Sequence, residues 1–222
     1  MSGKIKVVSF DFDGTLVTLE LEEQFWDQEI PRLYAQQHNT SLAKARLVWA
    51  EELNKVSGEK LEWFDAKWWF DRLGLKQDHR KELRDLKHLV KEYPEARGVL
   101  KKLRKKGFKI VIFSNAHRDF LDLKLEVTGL AKHFDEIYSL TSDFKELKSK
   151  RLFKWLARKM KVKPSQIIHV GDLYDDDVLT PAKAGVLTVF LDRSGKSRRK
   201  AERTARNLNE FYEIVLQEDG RK

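Results

Sequence analysis

One stretch near the amino terminus indicates the fold class: Lys4-Ile-Lys-Val-Val-Ser-Phe-Asp11-Phe-Asp13-Gly14-Thr15-Leu-Val. Its apolar run is too short for a helix and is closed by Gly14, so it predicts a buried β-strand. Side chains alternate along a strand, which puts Asp11 and Asp13 on the same side at its carboxyl end. Ligands bind at that end in open α/β sheets. Two carboxylates this close repel each other, which indicates a metal ion, a shared proton, or both.

The composition is that of a globular protein with a highly charged surface. The 222 residues are 41% hydrophobic and 36% charged, which is enough to bury a core. The chain has no cysteine, which excludes disulfides and thiolate metal sites. It shows neither a signal peptide nor a membrane span, so we expect a cytoplasmic protein without a membrane partner. The oligomeric state stays open between monomer and homodimer.

The net charge of +9 favours an anionic partner, from 44 basic and 35 acidic residues. Phosphorylated metabolites, nucleic acid and acidic membrane surfaces all fit this charge. The stretch from Arg193 to Arg206 has seven basic residues and one acid, Glu202, and could contact nucleic acid. We favour a solvated loop there, and therefore do not expect nucleic acid as a partner.

Residues 18–93 contain no convincing strand and several helical patterns. The segment is therefore predicted to be an all-helical insertion. The predicted helices cover about 20–37 with an interruption at Pro31, about 41–56, a stretch from Leu61 to Gly74, and 78–93.

Four tryptophans in this segment have two possible roles. Aromatic side chains supply much of the buried area of small cores, so the first interpretation is that they pack the helices together. In the second, one or two of them face a substrate cleft. The residues are Trp49, Trp63, Trp68 and Trp69.

From Tyr93-Pro94 onward, predicted strands alternate with predicted helices. Strands separated by helices of this length imply parallel pairing and right-handed crossovers. The pattern predicts an α/β protein with a parallel sheet. The predicted strands cover about 108–113, 134–140, 166–170 and 186–191.

Three predicted strands end in polar residues that could act on a phosphate: Asp11 and Asp13, Ser114 and Asn115, and Asp172. A calcium loop is an alternative for the first pair, with Gly14 at loop position six. Position one would then be Ser9 rather than Asp, and a β run precedes the loop instead of a helix, so we rank this alternative low.

Taken together, these motifs resemble those of the haloacid dehalogenase (HAD) superfamily of phosphotransferases. The resemblance covers the whole α/β part and implies a Rossmann-like parallel-sheet core of residues 1–17 and 94–222, with a helical cap of residues 18–93. The matching segments are Asp11-Phe12-Asp13-Gly14-Thr15, Ser114-Asn115 after a hydrophobic strand, and Gly171-Asp172-Leu-Tyr-Asp-Asp176-Asp177 after another.

The resemblance implies a role for each matching residue. Asp11 would be the nucleophile that forms an aspartyl-phosphate, and Asp13 would protonate the leaving oxygen and then deprotonate water. Ser114 and Asn115 would bind the phosphoryl oxygens. The implied cofactor is Mg²⁺, held by Asp11, Asp13 and Asp172, and oxygen ligands suit this ion.

The remaining two assignments are less direct. The family has a lysine before the last motif, and the sequence offers Lys148 first and Lys150 second as the residue that binds the substrate phosphate. In the last motif the spacing favours Asp177 as a further metal ligand, with Asp176 as second choice. His117 and His169 also lie near these motifs. His117 could contact the substrate, but we favour an exposed histidine at a helix start, and we expect a structural role for His169.

The resemblance implies an enzyme, a hydrolase of phosphoric monoesters. A true haloacid dehalogenase lacks the second aspartate of the first motif, so Asp13 favours phosphoryl transfer over dehalogenation. A cap of this size excludes large substrates, which indicates a small phosphorylated metabolite. A phosphomutase shares these motifs and is the nearest alternative, and a nucleic-acid-binding protein ranks below it.

Overall fold

The computed structural model of the protein describes residues 4–56 and 60–220. Its strands are β1 (Val7–Phe10), β2 (Lys109–Ser114), β3 (Glu136–Ser139), β4 (Ile167–Gly171), β5 (Leu187–Leu191) and β6 (Thr204–Ala205). They form one sheet in the order β3-β2-β1-β4-β5-β6, and every pairing is parallel. The predicted α/β fold with a parallel sheet is confirmed.

Strand β1 lies at the centre of the sheet. Its Val7 pairs with Lys109 of β2 on one side and with Ile167 of β4 on the other. The chain runs from β1 outward to β2 and β3, and then returns to the opposite side of β1 for β4. This reversal creates a topological switch point beside β1, the position where open α/β sheets bind ligands.

The helical insertion, residues 18–93, joins β1 to β2. It contains α1 (Glu20–Gln24), α2 (Ile30–Gln37), α3 (Leu42–Lys55), α4 (Ala66–Leu73) and α5 (His79–Asp85). A π turn at Phe25–Glu29 connects the first two helices, and 3₁₀ turns occupy Leu61–Phe64 and Lys87–Leu89.

The predicted interruption at Pro31 is wrong. The backbone stays helical from Glu20 to Gln37, and Pro31 lies in the first turn of α2. Proline has no N–H to donate to the preceding turn. The wider turn at Phe25–Glu29 lies directly before it, and such π turns accommodate irregular hydrogen bonding inside a helix.

The predicted helix over 78–93 is too long. Helix α5 ends at Asp85, and the chain then straightens so that it can return beside the outgoing segment. The N–H of Thr18 donates to the carbonyl of Lys91 at 2.9 Å, and the N–H of Tyr93 donates to that of Leu16 at 3.0 Å. These long-range bonds override the apolar spacing that suggested a continuous helix.

Six further helices pack on the sheet: α6 (Ala96–Lys105), α7 (Arg118–Thr128), α8 (Leu140–Asp143), α9 (Lys150–Lys159), α10 (Thr180–Ala182) and α11 (Leu208–Asp219). Apolar residues of α6, α7 and α11 cover one face of the sheet, and those of α9 cover the other. The segment that leads into α10 is a π turn, Tyr174–Leu179.

The helical insertion has a hydrophobic core of its own, but it is not self-contained. Phe120 and Leu123 of α7 belong to the same buried cluster as the insertion residues Phe25 and Trp69. Phe25 contacts Phe120 edge to face, with ring centroids 5.2 Å apart. Movement of the insertion away from the sheet would therefore expose apolar surface on α7.

None of the helices in the described parts of the chain is both long and apolar enough to cross a membrane.

Candidate active site

The carboxyl ends of β1, β2 and β4 bring the predicted site residues together. The N–H of Asp11 donates to the carbonyl of Val170 at 2.9 Å, which extends the β1–β4 pairing past the end of β1. Ser114 is the last residue of β2, and Asp172 follows β4 directly. Asp11, Ser114 and Asp172 all line one cavity of about 380 Å³ between the sheet and the helical insertion.

Gly14 allows two of these carboxylates to approach. Its φ of +69° is favourable only for glycine, and a Cβ at this position would lie 2.4 Å from Asp172 Oδ2. The neighbouring Thr15 hydroxyl donates to Asp172 Oδ1 at 3.3 Å. The turn after β1 therefore positions the carboxylate that follows β4.

Lys148 is the lysine that reaches the carboxylates. Its ammonium nitrogen lies 2.6 Å from Asp11 Oδ1 and 2.6 Å from Asp177 Oδ1, and its side chain is 1% exposed. Burial lowers the pKa of Lys148, but Asp11 and Asp177 more than offset this and raise it, so the lysine is charged. Lys150, the second choice, is exposed on α9.

Asp177 is completely buried and receives hydrogen bonds on both oxygens. His169 donates to Oδ1 at 3.1 Å from Nε2, and the backbone N–H of Leu173 donates to Oδ2 at 2.9 Å. The other ring nitrogen of His169 then accepts from the Ser9 hydroxyl at 2.9 Å. Burial acts to raise the pKa of Asp177, but Lys148 and His169 hold it well below its usual range. The structural role expected for His169 agrees with these contacts.

Asn115 uses its side chain to support the site. Its Oδ1 accepts the backbone N–H of Lys148 at 2.8 Å, and its Nδ2 donates to Asp176 Oδ2 at 3.1 Å. The Ser114 hydroxyl accepts from the N–H of Ala116 at 3.2 Å. Asn115 thus fixes the position of Lys148, and the second-choice ligand Asp176 is turned toward Asn115.

Three of the carboxylates could hold a cation. Asp11, Asp172 and Asp177 each offer an oxygen within 4.8 Å of the others. Burial raises the pKa of Asp11 to about 8 and that of Asp172 to about 6, although Lys148 opposes the shift. A bound divalent cation would allow both groups to ionise at neutral pH. An all-oxygen donor set of this kind fits Mg²⁺.

Lys124 is a site residue that the motifs do not reveal. Its ammonium lies 2.5 Å from Asp13 Oδ1 and also contacts the carboxylate of Glu22 in the helical insertion, while its side chain is 1% exposed. Burial lowers the pKa of Lys124, and Asp13 opposes this shift. A signal did exist in the sequence, because Lys124 shares a helical face with the apolar residues Phe120 and Leu121 of α7.

Tryptophans form the wall of the cavity on the side of the helical insertion. Trp49, Trp63 and Trp69 line it, as does Trp26, for which the sequence suggests no particular role. Trp68 lies outside, with its ring under the guanidinium of Arg72. Trp49 and Trp69 also pack the helices together, as the first interpretation predicts, and their position on the cavity is compatible with the second.

His117 caps α7, where its Nδ1 accepts the N–H of Asp119 at 3.4 Å. The position at a helix start is the one expected, but the side chain is only 19% exposed rather than open to solvent. The ring also lines the cavity, so it remains within reach of a bound molecule.

The basic stretch from Arg193 to Arg206 divides into two parts. Residues 194–200 are exposed, in agreement with a solvated loop. Arg193 instead donates to the carbonyls of Gly14 and Thr15 at 3.1 and 2.7 Å and stacks on Tyr93, 3.3 Å from its ring centroid. Arg193 therefore contacts both chain segments that connect the sheet to the helical insertion, one at Gly14 and Thr15 and the other at Tyr93. The two-residue strand β6 within the stretch was not predicted.

Comparisons with known proteins agree with this architecture. A family model for haloacid dehalogenase-like hydrolases matches residues 5–185. A crystal structure of a HAD phosphatase from Thermococcus onnurineus superposes with a TM-score of 0.85 at 26% identity, covering 95% of this chain and 98% of that one.

Two curated relatives match over most of their length. The GMP/IMP nucleotidase YrfG of Escherichia coli (strain K12) is 24% identical over 168 residues, which cover 76% of this chain and 74% of the relative. The pyrophosphatase PpaX of Bacillus pumilus (strain SAFR-032) is 28% identical over 188 residues, covering 83% and 82%.

Proposed function

This chain belongs to the haloacid dehalogenase-like hydrolases, and from that premise we propose that it is a Mg²⁺-dependent phosphatase. It hydrolyses a small phosphorylated metabolite through an aspartyl-phosphate on Asp11. One observation carries this proposal: the Asp11 carboxylate lies at the floor of the cavity, 2.6 Å from the buried cation of Lys148 and close to Asp172. A nucleophilic carboxylate needs such positive charge before it can approach an anionic phosphate.

In the first step, an oxygen of Asp11 attacks phosphorus while the bond between phosphorus and the ester oxygen breaks. Asp13 donates its proton to the leaving oxygen, which departs as an alcohol. Lys148 and the residues at the end of β2 offset the negative charge of the transferring group. The contact of Lys124 with Asp13 supports this role, because it holds the acid in a fixed position.

In the second step, water attacks the phosphorus of the aspartyl-phosphate. Asp13 takes the proton from this water, and the bond between phosphorus and Asp11 breaks, which releases inorganic phosphate and restores both residues. One residue can serve as acid and then as base because its protonation state after the first step is the one that the second step requires.

Mg²⁺ would be held by the carboxylates of Asp11 and Asp172 and the backbone carbonyl of Asp13, and it would neutralise charge on the transferring phosphoryl group. Asp177 is a less direct participant in this proposal. Because its two oxygens accept from Lys148, His169 and Leu173, we assign it to orienting Lys148.

The helical insertion, residues 18–93, is proposed to act as a cap domain over a core of residues 1–17 and 94–222. Its tryptophans cover the cavity, and Glu22 reaches down to Lys124 beside Asp13. A covered cavity of about 380 Å³ suits a small molecule better than a protein or a nucleic-acid duplex.

The names of the curated relatives support a phosphatase, since they include a nucleotidase and a pyrophosphatase. No contact among the described residues favours the phosphomutase alternative. Dehalogenation is ranked lower because its leaving halide requires no proton, whereas Asp13 is retained.

The proposal is tested by phosphate release from p-nitrophenyl phosphate with Mg²⁺ or with EDTA. We expect turnover only with the metal, and none in Asp11→Asn, which keeps the size of the side chain. Lys150→Met serves as a control at an exposed position. Undiminished turnover in Asp11→Asn would overturn the nucleophile assignment. In a separate incubation with a sugar phosphate, isomerised ester in place of free phosphate would indicate a phosphomutase.

A further inference from the structure

The cavity above Asp11 has a composition that selects its substrate. We propose, resting on the phosphatase function above, that the leaving group is an alcohol with an aromatic ring and no negative charge of its own. The ring lies against the tryptophan wall of the helical insertion, and an uncharged or cationic substituent faces the carboxylates at the rim.

The wall is a set of stacked aromatic rings. Trp26 stacks on Phe120 with centroids 5.4 Å apart and planes at 22°, and on Trp49 at 6.3 Å and 11°. Trp49 in turn meets Trp69 edge to face at 4.7 Å. All four rings line the cavity. Such a surface offers a flat aromatic ligand a large stacking area, and this stacking does not depend on particular polar groups of the ligand.

The mouth of the cavity is apolar although it is exposed. Leu19, Trp63 and Leu173 line it and are 39%, 36% and 56% exposed. They are three of the seven large hydrophobic side chains that are exposed among residues 4–56 and 60–220. Exposed apolar groups gathered at a cavity mark a surface that binds an apolar partner.

The charge around the cavity argues against a second anionic group. Glu23 and Asp27 line the side formed by the helical insertion, together with Glu22, which is paired with Lys124. Among the described residues that line the cavity, Lys148 is the only lysine or arginine, and it is already paired with two aspartates. In a chain of net charge +9, the ionisable side chains that line this cavity are thus mainly acidic. A leaving group bearing a carboxylate or a further phosphate would be repelled there.

The test uses four phosphate esters and wild-type enzyme with Mg²⁺: ethyl, benzyl, 4-carboxybenzyl and 4-(aminomethyl)benzyl phosphate. The methylene of the benzyl esters separates the leaving oxygen from the ring substituent, so the substituents chiefly change binding. We expect benzyl phosphate to exceed ethyl phosphate by about tenfold or more in kcat/KM, as for single stacking contacts. We expect 4-carboxybenzyl phosphate to fall about tenfold below the aminomethyl ester.

Variants assign these preferences to residues. Trp63→Ala should reduce the ratio of kcat/KM for benzyl phosphate to that for ethyl phosphate by about fivefold, whereas Trp63→Phe should keep most of this ratio. Both variants retain the backbone carbonyl of residue 63, which accepts a hydrogen bond from the Trp69 indole. The double variant Glu23→Gln, Asp27→Asn should lower the ratio of kcat/KM for 4-(aminomethyl)benzyl phosphate to that for 4-carboxybenzyl phosphate. Glu51→Gln, exposed on α3 and outside the cavity, is the matched control and should leave that ratio as it is.

Binding provides a second measurement that does not depend on turnover. Tryptophan fluorescence of Asp11→Asn with Mg²⁺ should show tighter binding of benzyl phosphate than of ethyl or 4-carboxybenzyl phosphate. If none of the esters is hydrolysed, the proposed phosphatase function is wrong, and the order of the binding affinities of the esters alone tests the preference for an aromatic ring. If esters are hydrolysed or bound without preference for the ring, or with preference for the carboxylate, the inference is overturned and the phosphatase function stands.

Discussion

Replacing Lys148 by methionine should cost both stability and activity. The lysine is 1% exposed, and its ammonium lies 2.6 Å from Asp11 and 2.6 Å from Asp177. Methionine fills a similar volume, so the substitution removes the charge and leaves a small cavity at most. The two aspartates would then share a buried site without their common cation.

The magnitude follows from the burial of these groups. Removing one partner of a buried ion pair costs about 3–5 kcal/mol, because the other charge stays buried and uncompensated. At pH 7 without metal, Asp11 already holds a proton most of the time, since burial raises its pKa to about 8, so the charge left uncompensated in the variant is mainly that of Asp177. We therefore expect the free energy of unfolding to fall by about 3 kcal/mol, the lower end of that range. Without the Lys148 ammonium, the negative charge of Asp11 and of the transferring phosphoryl group is less well offset, so kcat should fall by about 10³-fold or more.

The assay is urea unfolding at pH 7 in EDTA, followed by far-ultraviolet circular dichroism, together with Mg²⁺-dependent phosphate release. Lys150→Met is the control, because Lys150 is exposed two residues along the chain. It should change stability by no more than about 0.5 kcal/mol. Equal stability losses in the two variants, or a Lys148→Met enzyme that keeps a tenth of its activity, would refute the reasoning.

Three other predictions concern the same cluster. Lys124→Met should lower kcat far more for ethyl phosphate than for p-nitrophenyl phosphate, whose leaving group needs no proton; equal losses would show that the lysine does not position the general acid. Burial raises the pKa values of Asp11 and Asp172 from 3.8 to about 8 and about 6, so the metal-free folded state binds more protons than the unfolded state above pH 3.8. His169 and His133, whose pKa values burial lowers, act in the opposite direction until the unfolded state has lost their protons near pH 7. Between pH 7 and 8 the proton on Asp11 dominates, so the free energy of unfolding in EDTA should decrease by about 1 kcal/mol per pH unit, and a flat or rising profile in urea titrations would contradict this. Gly14→Ala should weaken Mg²⁺ binding, measured by calorimetry, much more than Gly129→Ala, because both backbones have positive φ but only a Cβ at Gly14 meets Asp172; equal affinities would contradict the close approach.

Much of the fold and the site could be predicted from the sequence because the signals are local. Asp11 and Asp172 each follow a short apolar strand, and parallel strands bring their carboxyl ends to one edge. The sequence offers Lys148 before Lys150 as the lysine of the family motif, and the contact of Lys148 with Asp11 agrees with that order.

The rest depends on contacts between distant segments, which periodicity does not report. The helix predicted for 78–93 stops early because the returning chain pairs with Thr18 and Leu16. Lys124 lies 111 residues from Asp13, and nothing in the local pattern except its apolar helical face marks it as buried.

Which tryptophans line the cavity could not be predicted for the same reason. Trp26 and Trp68 have comparable helical surroundings in the sequence, yet Trp26 lines the cavity and Trp68 does not. Which face of a helix meets the cavity is decided by packing against α7, and Phe120 supplies that contact.

The central claim is that Asp11 carries the phosphoryl group. Borohydride reduces an acyl phosphate to an alcohol, so quenching a steady-state reaction with sodium borohydride should convert Asp11 to homoserine. Peptide mass spectrometry of the amino-terminal segment would detect it, with Asp11→Asn as the blank. We expect homoserine at position 11 only when substrate and Mg²⁺ are both present. Continued phosphate release with no modification at position 11, or modification at another aspartate, would contradict the mechanism.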